Sequence, residues 1–428
     1  MKFELNKDIV FNSIAEKVIR SPDGSKWAVH LETSGQPEVR EFDKVVFAHG
    51  YQTEPKMPTF EGQEGFEGVI MHSQQYRKPD GFKDKKVIIV GMANTASDIA
   101  TDLAPHASKV YISHRRGVVI ASRYRNGLPV DLSITWQRHK MSWFMQNHFP
   151  TLSRKLADTA VAFIMRQQWG KLDPAWRIQP SPSITSTLPA VSETLISLLR
   201  EGKLASMNEI RRFKGPRSIE FADGEVLDDV DAVICATGYT ADFSIAPFVE
   251  SSSPEGANGR KMIRLYQNLF PPQYANSAAF LNYSAFGKSN GVGFADVIAM
   301  ALSNIWRGVS PLPSVGEMES DIDAHHKWVI PQLKINPYMD VSKVNQGKWQ
   351  GFLHDAAGTG MENVGWGLRG WRFWLKDRKM SSLICNGVET PYAFRLFETG
   401  KRKTWPGARQ AILDVNREVK EFSLKNKK

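Results

Sequence analysis

At 428 residues the chain is long enough for two or three domains, and its 42% hydrophobic and 23% charged content is that of a globular protein rather than a disordered or fibrous one. A net charge of +10 does not point to nucleic acid, because lysine and arginine are spread along the chain and no base-reading motif accompanies them; a basic surface that attracts phosphorylated cofactors accounts for it. Two distant cysteines, Cys235 and Cys385, with no C-x-x-C pair exclude a disulfide framework, a zinc knuckle and a dithiol redox centre, and fit a reducing, cytoplasmic setting. No run approaches the ~18 apolar residues of a membrane span, and the amino terminus lacks the apolar core of a signal peptide.

In chain order, Phe11–Arg20, a turn at Ser21–Gly24 and Trp27–Glu32 read as a β-hairpin, followed by a strand over Asp43–Tyr51. Val87–Val90 is a continuous β-branched run, as expected for a parallel strand covered on both faces, and Ile99 and Leu103 with the alanines around them suit the helix that follows. Val110–Arg116 is the next strand. Two aromatic-rich stretches, Trp136–Phe144 and Trp366–Trp374, read as core packing ahead of a substrate channel or subunit contact. Ser218–Phe221, a turn at Asp223–Gly224 and a strand over Asp231–Tyr239 repeat the opening pattern; Asp43–Tyr51 and Asp231–Tyr239 align without a gap, which suggests an internal duplication. Gly287, Gly291 and Gly293 precede a helix over Phe294–Trp306, and the closing KNKK reads as a frayed helix end.

The chemistry concentrates at the joint after Val90. Gly91, Ala93 and Ala96 stand at the three small-residue positions of a G-x-G-x-x-G turn, with Asn94 and Thr95 between them and Ser97 and Asp98 following. Such a turn brings unpaired N–H groups to a helix start and suits a pyrophosphate, although the same grammar also describes a plain βα joint. Arg115 and Arg116 fall where an acidic residue would hold an unmodified ribose; arginine there suits a 2′-phosphate and favours NADP over NAD. Ala236, Thr237 and Gly238 end the second strand copy, where backbone can pass close to a bulky group. If the second copy closes the unit opened at Gly91, the first copy needs an earlier opening. Residues 1–10 hold no glycine and are too few for a βαβ unit, so a first nucleotide loop is expected to be either truncated or lost.

Phe66, Gly68, His72 and Tyr76 fill every fixed position of the F-x-G-x-x-x-H-x-x-x-Y/F signature that the flavin-containing monooxygenase family shows. The loop resembles that family's G-x-G-N-S-x-x-D with Gly91, Asn94 and Asp98 kept, and Ala236–Tyr239 is similar to its A-T-G-Y strand end. Leu269–Pro272 resembles its F-P-P turn, and Pro391–Leu396 with Trp405–Arg409 its carboxyl-terminal segment. The resemblance implies an α/β fold of two Rossmann-like dinucleotide-binding domains, with the NADP domain inserted in an FAD domain whose first βαβ unit is missing. The boundaries expected are 1–51 for the partial FAD domain, 52–240 for linker and NADP domain, and 241–428 for the return to the FAD domain.

The resemblance further implies FAD and NADP as cofactors, with O₂ and a small molecule as the other reactants. A nucleophilic nitrogen or sulfur would be oxygenated through a C4a-hydroperoxyflavin, and no metal is needed. Gly91, Ala93, Asn94, Thr95, Ser97 and Asp98 would form the NADP turn, with Arg115 and Arg116 on the 2′-phosphate. His72 and Tyr76 would tie the linker to its neighbours, and glycines ahead of Phe294 would approach the flavin ring. Two alternatives remain: an NADP-binding fragment without catalysis, and a Baeyer–Villiger enzyme, a group that resembles this pattern but carries tryptophan where Tyr76 stands.

Overall fold

The computed structural model describes residues 4–50, 53–125, 127–257, 260–281 and 291–426. Contacts divide the chain into two units: one comprises Met1–Glu54, Ala241–Thr359 and Glu398–Lys403, the other Pro55–Thr240, Gly360–Phe397 and Thr404–Lys428. The second unit is built on a five-stranded parallel sheet. Its strands are β1 (Val69–His72), β2 (Lys86–Val90), β3 (Lys109–Ser113), β4 (Leu204–Met207) and β5 (Ala232–Cys235), in the spatial order β4-β3-β2-β5-β1. The absence of polar alternation in Val87–Val90 has its cause here, because both faces are covered. Val87 and Ile89 join one cluster with Ala96, Ala100 and Leu103 of helix α1 (Asn94–Leu103) and with Met165 and Trp169. Ile88 faces the opposite way, into a cluster with Phe213, Ile219, Phe221 and Val233.

That second cluster lies under an antiparallel meander, Ile210–Gly215, Ser218–Phe221 and Val226–Leu227, which leads into β5. The first unit carries its own meander, Ser13–Arg20, Trp27–Thr33 and Gln36–Phe42, which leads into the strand Val45–Phe47. The internal echo is therefore a three-stranded meander feeding a parallel strand. Its third member, Gln36–Phe42, is absent from the sequence reading, and the counterpart of the Asp223–Gly224 turn is Ser34–Gly35 rather than Ser21–Gly24. Ser34 and Gly35 both have positive φ (51° and 79°) between the paired residues Thr33 and Gln36, the signature of a two-residue hairpin turn.

Within the first unit, Val45–Phe47 pairs in parallel with Ala278–Phe280, and Phe47 stacks on Phe280 at 4.3 Å. Trp27, fully buried, packs against Phe248 and Tyr274. The helix expected over Phe294–Trp306 runs Gly291–Trp306, so Gly291 and Gly293 belong to the helix rather than precede it; Gly287 and Tyr51 lie outside the described residues. This helix packs against Gln346–Ala357, with Phe294 and Trp349 rings 5.5 Å apart.

The residues after Gly360 group differently from the boundary expected at 241–428. The Lys140 ammonium donates to the Val364 carbonyl at 3.0 Å and His139 meets Glu389 at 3.2 Å, which attaches Gly360–Phe397 to helix α2 (Trp136–His148) of the second unit. The aromatic stretches also depart from a simple core: Trp136 is buried, but Phe144, Trp366 and Trp371 are exposed.

Candidate functional site

Gly91 is the pivot of the site. Its φ is +118°, and a Cβ placed on it would lie 2.6 Å from the Ala236 carbonyl oxygen, so both the turn and the neighbouring strand end demand glycine. Its N–H donates to the Ser113 carbonyl at 2.8 Å, and the Ala236 N–H donates to the Val90 carbonyl at 2.9 Å. The ends of β2, β3 and β5 are thus stitched together at one point. The close backbone approach expected at Ala236 is made by the chain itself, to Gly91.

Alanine at the second glycine position is explained locally. Ala93 sits at the N-cap of α1 in extended conformation, φ −95° and ψ −168°, which any L-residue adopts, and it offers no side-chain cap. The first helical N–H groups, at Asn94, Thr95 and Ala96, therefore present themselves at the carboxyl end of the sheet. Ala96, fully buried, lets helix and strand pack closely, the role of the third small residue in such turns.

The side chains around the turn do other work. Asn94 Oδ1 accepts from the Val191 N–H at 2.7 Å, and Thr101 Oγ1 lies 2.7 Å from Thr194 Oγ1, so one face of α1 is fixed to the segment 191–194. Asp98 meets Arg123 at 3.5 Å, and Arg123 also faces Glu193 at 3.9 Å. Thr95 is exposed. Ser97 is 1% exposed with its hydroxyl unpartnered, so it lies behind the turn, inside the helix–sheet contact, rather than on the exposed surface of the loop.

Arg115 and Arg116 leave the end of β3 next to β2, and Arg115 Nε lies 3.4 Å from a Glu209 carboxylate oxygen. The residue that shapes this loop belongs to no sequence motif. His114, 6% exposed, places Nδ1 2.8 Å from the Arg116 carbonyl oxygen and Nε2 2.8 Å from Ser206 Oγ. A carbonyl only accepts, so Nδ1 carries a proton. Burial holds the imidazole pKa below its ordinary value.

The four signature residues form a strap across the sheet edge. Phe66 packs edge-on against Phe213 at 4.9 Å, and a Cβ on Gly68 would fall 2.6 Å from the Asp231 carbonyl oxygen. His72 is 2% exposed; its Nδ1 accepts from the Gln74 N–H at 3.2 Å, which leaves Nε2–H to donate to the Gly238 carbonyl at 3.0 Å. The Tyr76 hydroxyl donates to Asp102 of α1 at 2.5 Å; burial, and then that carboxylate, raise its pKa. Lys56, which no motif singled out, completes the strap: its N–H donates to the Gly238 carbonyl at 3.0 Å and its own carbonyl accepts the Thr237 hydroxyl at 2.5 Å. Gly238, with φ +80° and open space where a Cβ would sit, needs glycine for its conformation rather than for crowding.

These features fit a dinucleotide at the carboxyl end of the sheet: a turn without side chains in its path, an uncapped helix start for a pyrophosphate, and arginine at the end of the adjacent strand. In the first unit, the described residues include no second strand–glycine–helix turn, so none of them is assigned to the FAD pyrophosphate. Among the described residues there is no cluster of metal-ligating side chains, and no helix is long and apolar enough to cross a membrane.

The chain is similar to known proteins along nearly its whole length. A family model described as flavin-binding monooxygenase-like matches residues 1–427. Monooxygenase aurF of Gibberella zeae is 35% identical over 403 residues, which cover 91% of this chain and 76% of that protein. Flavin-containing monooxygenase 2 of Homo sapiens is 28% identical over 430 residues, covering 98% and 75%. Among solved structures, S-allyl-L-cysteine S-oxygenase from Allium sativum shares the fold with a TM-score of 0.56 at 20% identity, over 99% of this chain and 73% of that one. Cyclohexanone monooxygenase from Rhodococcus sp. Phi1 bound to NADP+ does so with a TM-score of 0.58 at 15% identity, over 85% and 81%. The parallel sheet, the glycine turn with its strap and these matches together establish that the chain belongs to the flavin-binding monooxygenase-like family, whose cofactors are FAD and NADP.

Proposed function

We propose that the chain oxygenates a nucleophilic nitrogen or sulfur of a small molecule with NADPH as the reductant. When bound, the two cofactors supply the redox chemistry, NADPH as hydride donor and FAD as the group at which O₂ is activated. The N–H groups of Asn94, Thr95 and Ala96 hold the NADP pyrophosphate, and Asn94 and Asp98 keep the helix start in place through Val191 and Arg123. Arg115, which lies beside Glu209, would hold the 2′-phosphate, and His114 fixes the loop that carries both arginines. Ser97 supports the turn from behind. Lys56, His72 and Tyr76 tie the strand end Ala236–Gly238 and helix α1 to the strap and so stabilise the fold around the turn. The domain assignment follows: Pro55–Thr240 binds NADP, and the unit containing residues 4–50 and 241–359 carries FAD.

The observation behind this reading is the uncapped start of α1 after β2, with Arg115 just past the end of the adjacent parallel strand β3. Steady-state oxidation of NADPH and NADH tests it. NADPH is expected to be preferred by about tenfold or more in kcat/KM, and Arg115→Ala to erase most of that preference. Equal use of the two nucleotides would contradict the assignment. Oxygenation of nitrogen or sulfur is favoured over ester formation from ketones by Tyr76, which stands where the Baeyer–Villiger pattern carries tryptophan. A substrate panel of amines, sulfides and cyclic ketones separates these outcomes, and ketone-to-ester conversion alone would reverse the order.

A further inference from the structure

Two helical segments of the second unit leave apolar side chains in solvent, and both set basic residues beside them. In α3 (Leu368–Lys376), Leu368 is 87% exposed, Trp371 59% and Leu375 65%, and Trp366 just before it is 49% exposed. At about 100° per residue, Leu368, Trp371 and Leu375 share one sector, Arg372, Lys376 and Arg369 adjoin it, and Gly370 lies opposite. Gly370 faces inward, since a Cβ there would strike the Gly365 carbonyl. Residues 366–380 contain five basic side chains and one acid. Arg369 reaches Glu362 at 3.6 Å, and the Arg378 guanidinium lies 4.6 Å from the centre of the Trp374 ring.

The helix Pro150–Trp169 repeats the pattern: Leu152, Leu156 and Phe163 form one exposed stripe, with Lys155 and Arg166 along one side. The two regions are neighbours through α2, whose Lys140 donates to Val364, two residues before Trp366. Met141 and Phe144 of α2, and Phe149 at its end, are exposed as well.

We propose that this face of the second unit docks on the surface of an anionic lipid bilayer, with Trp366, Leu368, Trp371 and Leu375 entering the headgroup boundary and Arg369, Arg372 and Lys376 meeting lipid phosphates. A short helix with tryptophan and leucine on one sector and cations beside it has the composition of an interfacial helix, and tryptophan favours that boundary. Charge decides between occupants. A second copy of the chain would bring a like basic flank against its own, whereas an anionic surface meets both the apolar and the cationic part.

Sedimentation of the intact chain with large vesicles tests this, using phosphatidylcholine alone and phosphatidylcholine with about 30% phosphatidylserine. The expected result is binding to the mixed vesicles, weakened by salt. Trp371→Ser/Leu375→Ser is expected to reduce the partition coefficient by about tenfold or more, and Arg372→Glu/Lys376→Glu to abolish the preference for anionic lipid. Because these residues are exposed, both variants should keep the parent melting temperature, read on the same samples. No sedimentation with either vesicle, or unchanged binding by variants that melt like the parent, would overturn the proposal. So would a dimer in solution that Trp371→Ser/Leu375→Ser converts to monomer.

Discussion

Replacing His72 with alanine separates a structural histidine from a catalytic one. The ring makes two hydrogen bonds, Nε2–H to the Gly238 carbonyl at 3.0 Å and Nδ1 from the Gln74 N–H at 3.2 Å, and packs edge-on against Tyr239 at 5.1 Å. Gly238 O keeps its bond from the Lys56 N–H, but the Gln74 N–H loses its acceptor. Two hydrogen bonds at about 1 kcal/mol each and an aromatic contact of about 1 kcal/mol give a loss of about 3 kcal/mol. At roughly 2–4 °C per kcal/mol for a unit of this size, the melting temperature should fall by roughly 6–12 °C. The assay is thermal unfolding followed in parallel with NADPH oxidation measured well below the transition. The folded fraction should retain kcat within about threefold, because the ring points at backbone and not at a reacting group. His72→Gln, with an amide that can donate to the Gly238 carbonyl, should recover part of the stability. An unchanged melting temperature with kcat lowered more than about tenfold would refute the structural assignment and place His72 in the chemistry.

Gly91 and Gly238 both have positive φ, yet only Gly91 is crowded, so Gly91→Ala should cost about 3 kcal/mol or more and Gly238→Ala about 1–2 kcal/mol in denaturant unfolding; equal costs would contradict the contact with Ala236. Acid should weaken the first unit through His325, whose pKa burial, and then the neighbouring His326, lower from 6.5 to about 4. The folded ring stays neutral where the unfolded one is charged, so this stability is complete above about pH 6.5 and is lost as pH falls toward 4, about 2 kcal/mol of it between pH 8 and 5. Stability of His325→Gln measured across that range should fall less steeply than that of the parent, and parallel curves would contradict the assignment.

The elements legible in the sequence are those whose signal is local. Val87–Val90 announces a doubly covered strand because four consecutive apolar residues leave no polar face, and Gly91 announces the turn because only glycine meets its φ. Gln36–Phe42 was not legible: Pro37, Glu38, Arg40 and Glu41 show no buried period, and its place in the sheet is set by the Ser34–Gly35 turn, whose Ser-Gly pair was the signal available. The burial of Ser97 and the role of His114 depend on partners 92 or more residues away or on the packing of α1 against the sheet, which no local pattern encodes. The exposed Trp371 is the opposite case. An aromatic-rich helix resembles core until the surface beside it is seen to be solvent.

The central claim is that this chain uses NADPH and O₂ to place one oxygen atom on a nucleophilic nitrogen or sulfur. Its most direct test is a reaction of the purified chain, supplied with FAD and NADPH under ¹⁸O₂, on a tertiary amine and a thioether, with the products read by mass spectrometry. The account predicts an N-oxide or sulfoxide carrying one heavy oxygen, formed in step with NADPH oxidation. NADPH binding with no labelled product from either substrate, or an ester formed from a ketone in their place, would contradict it.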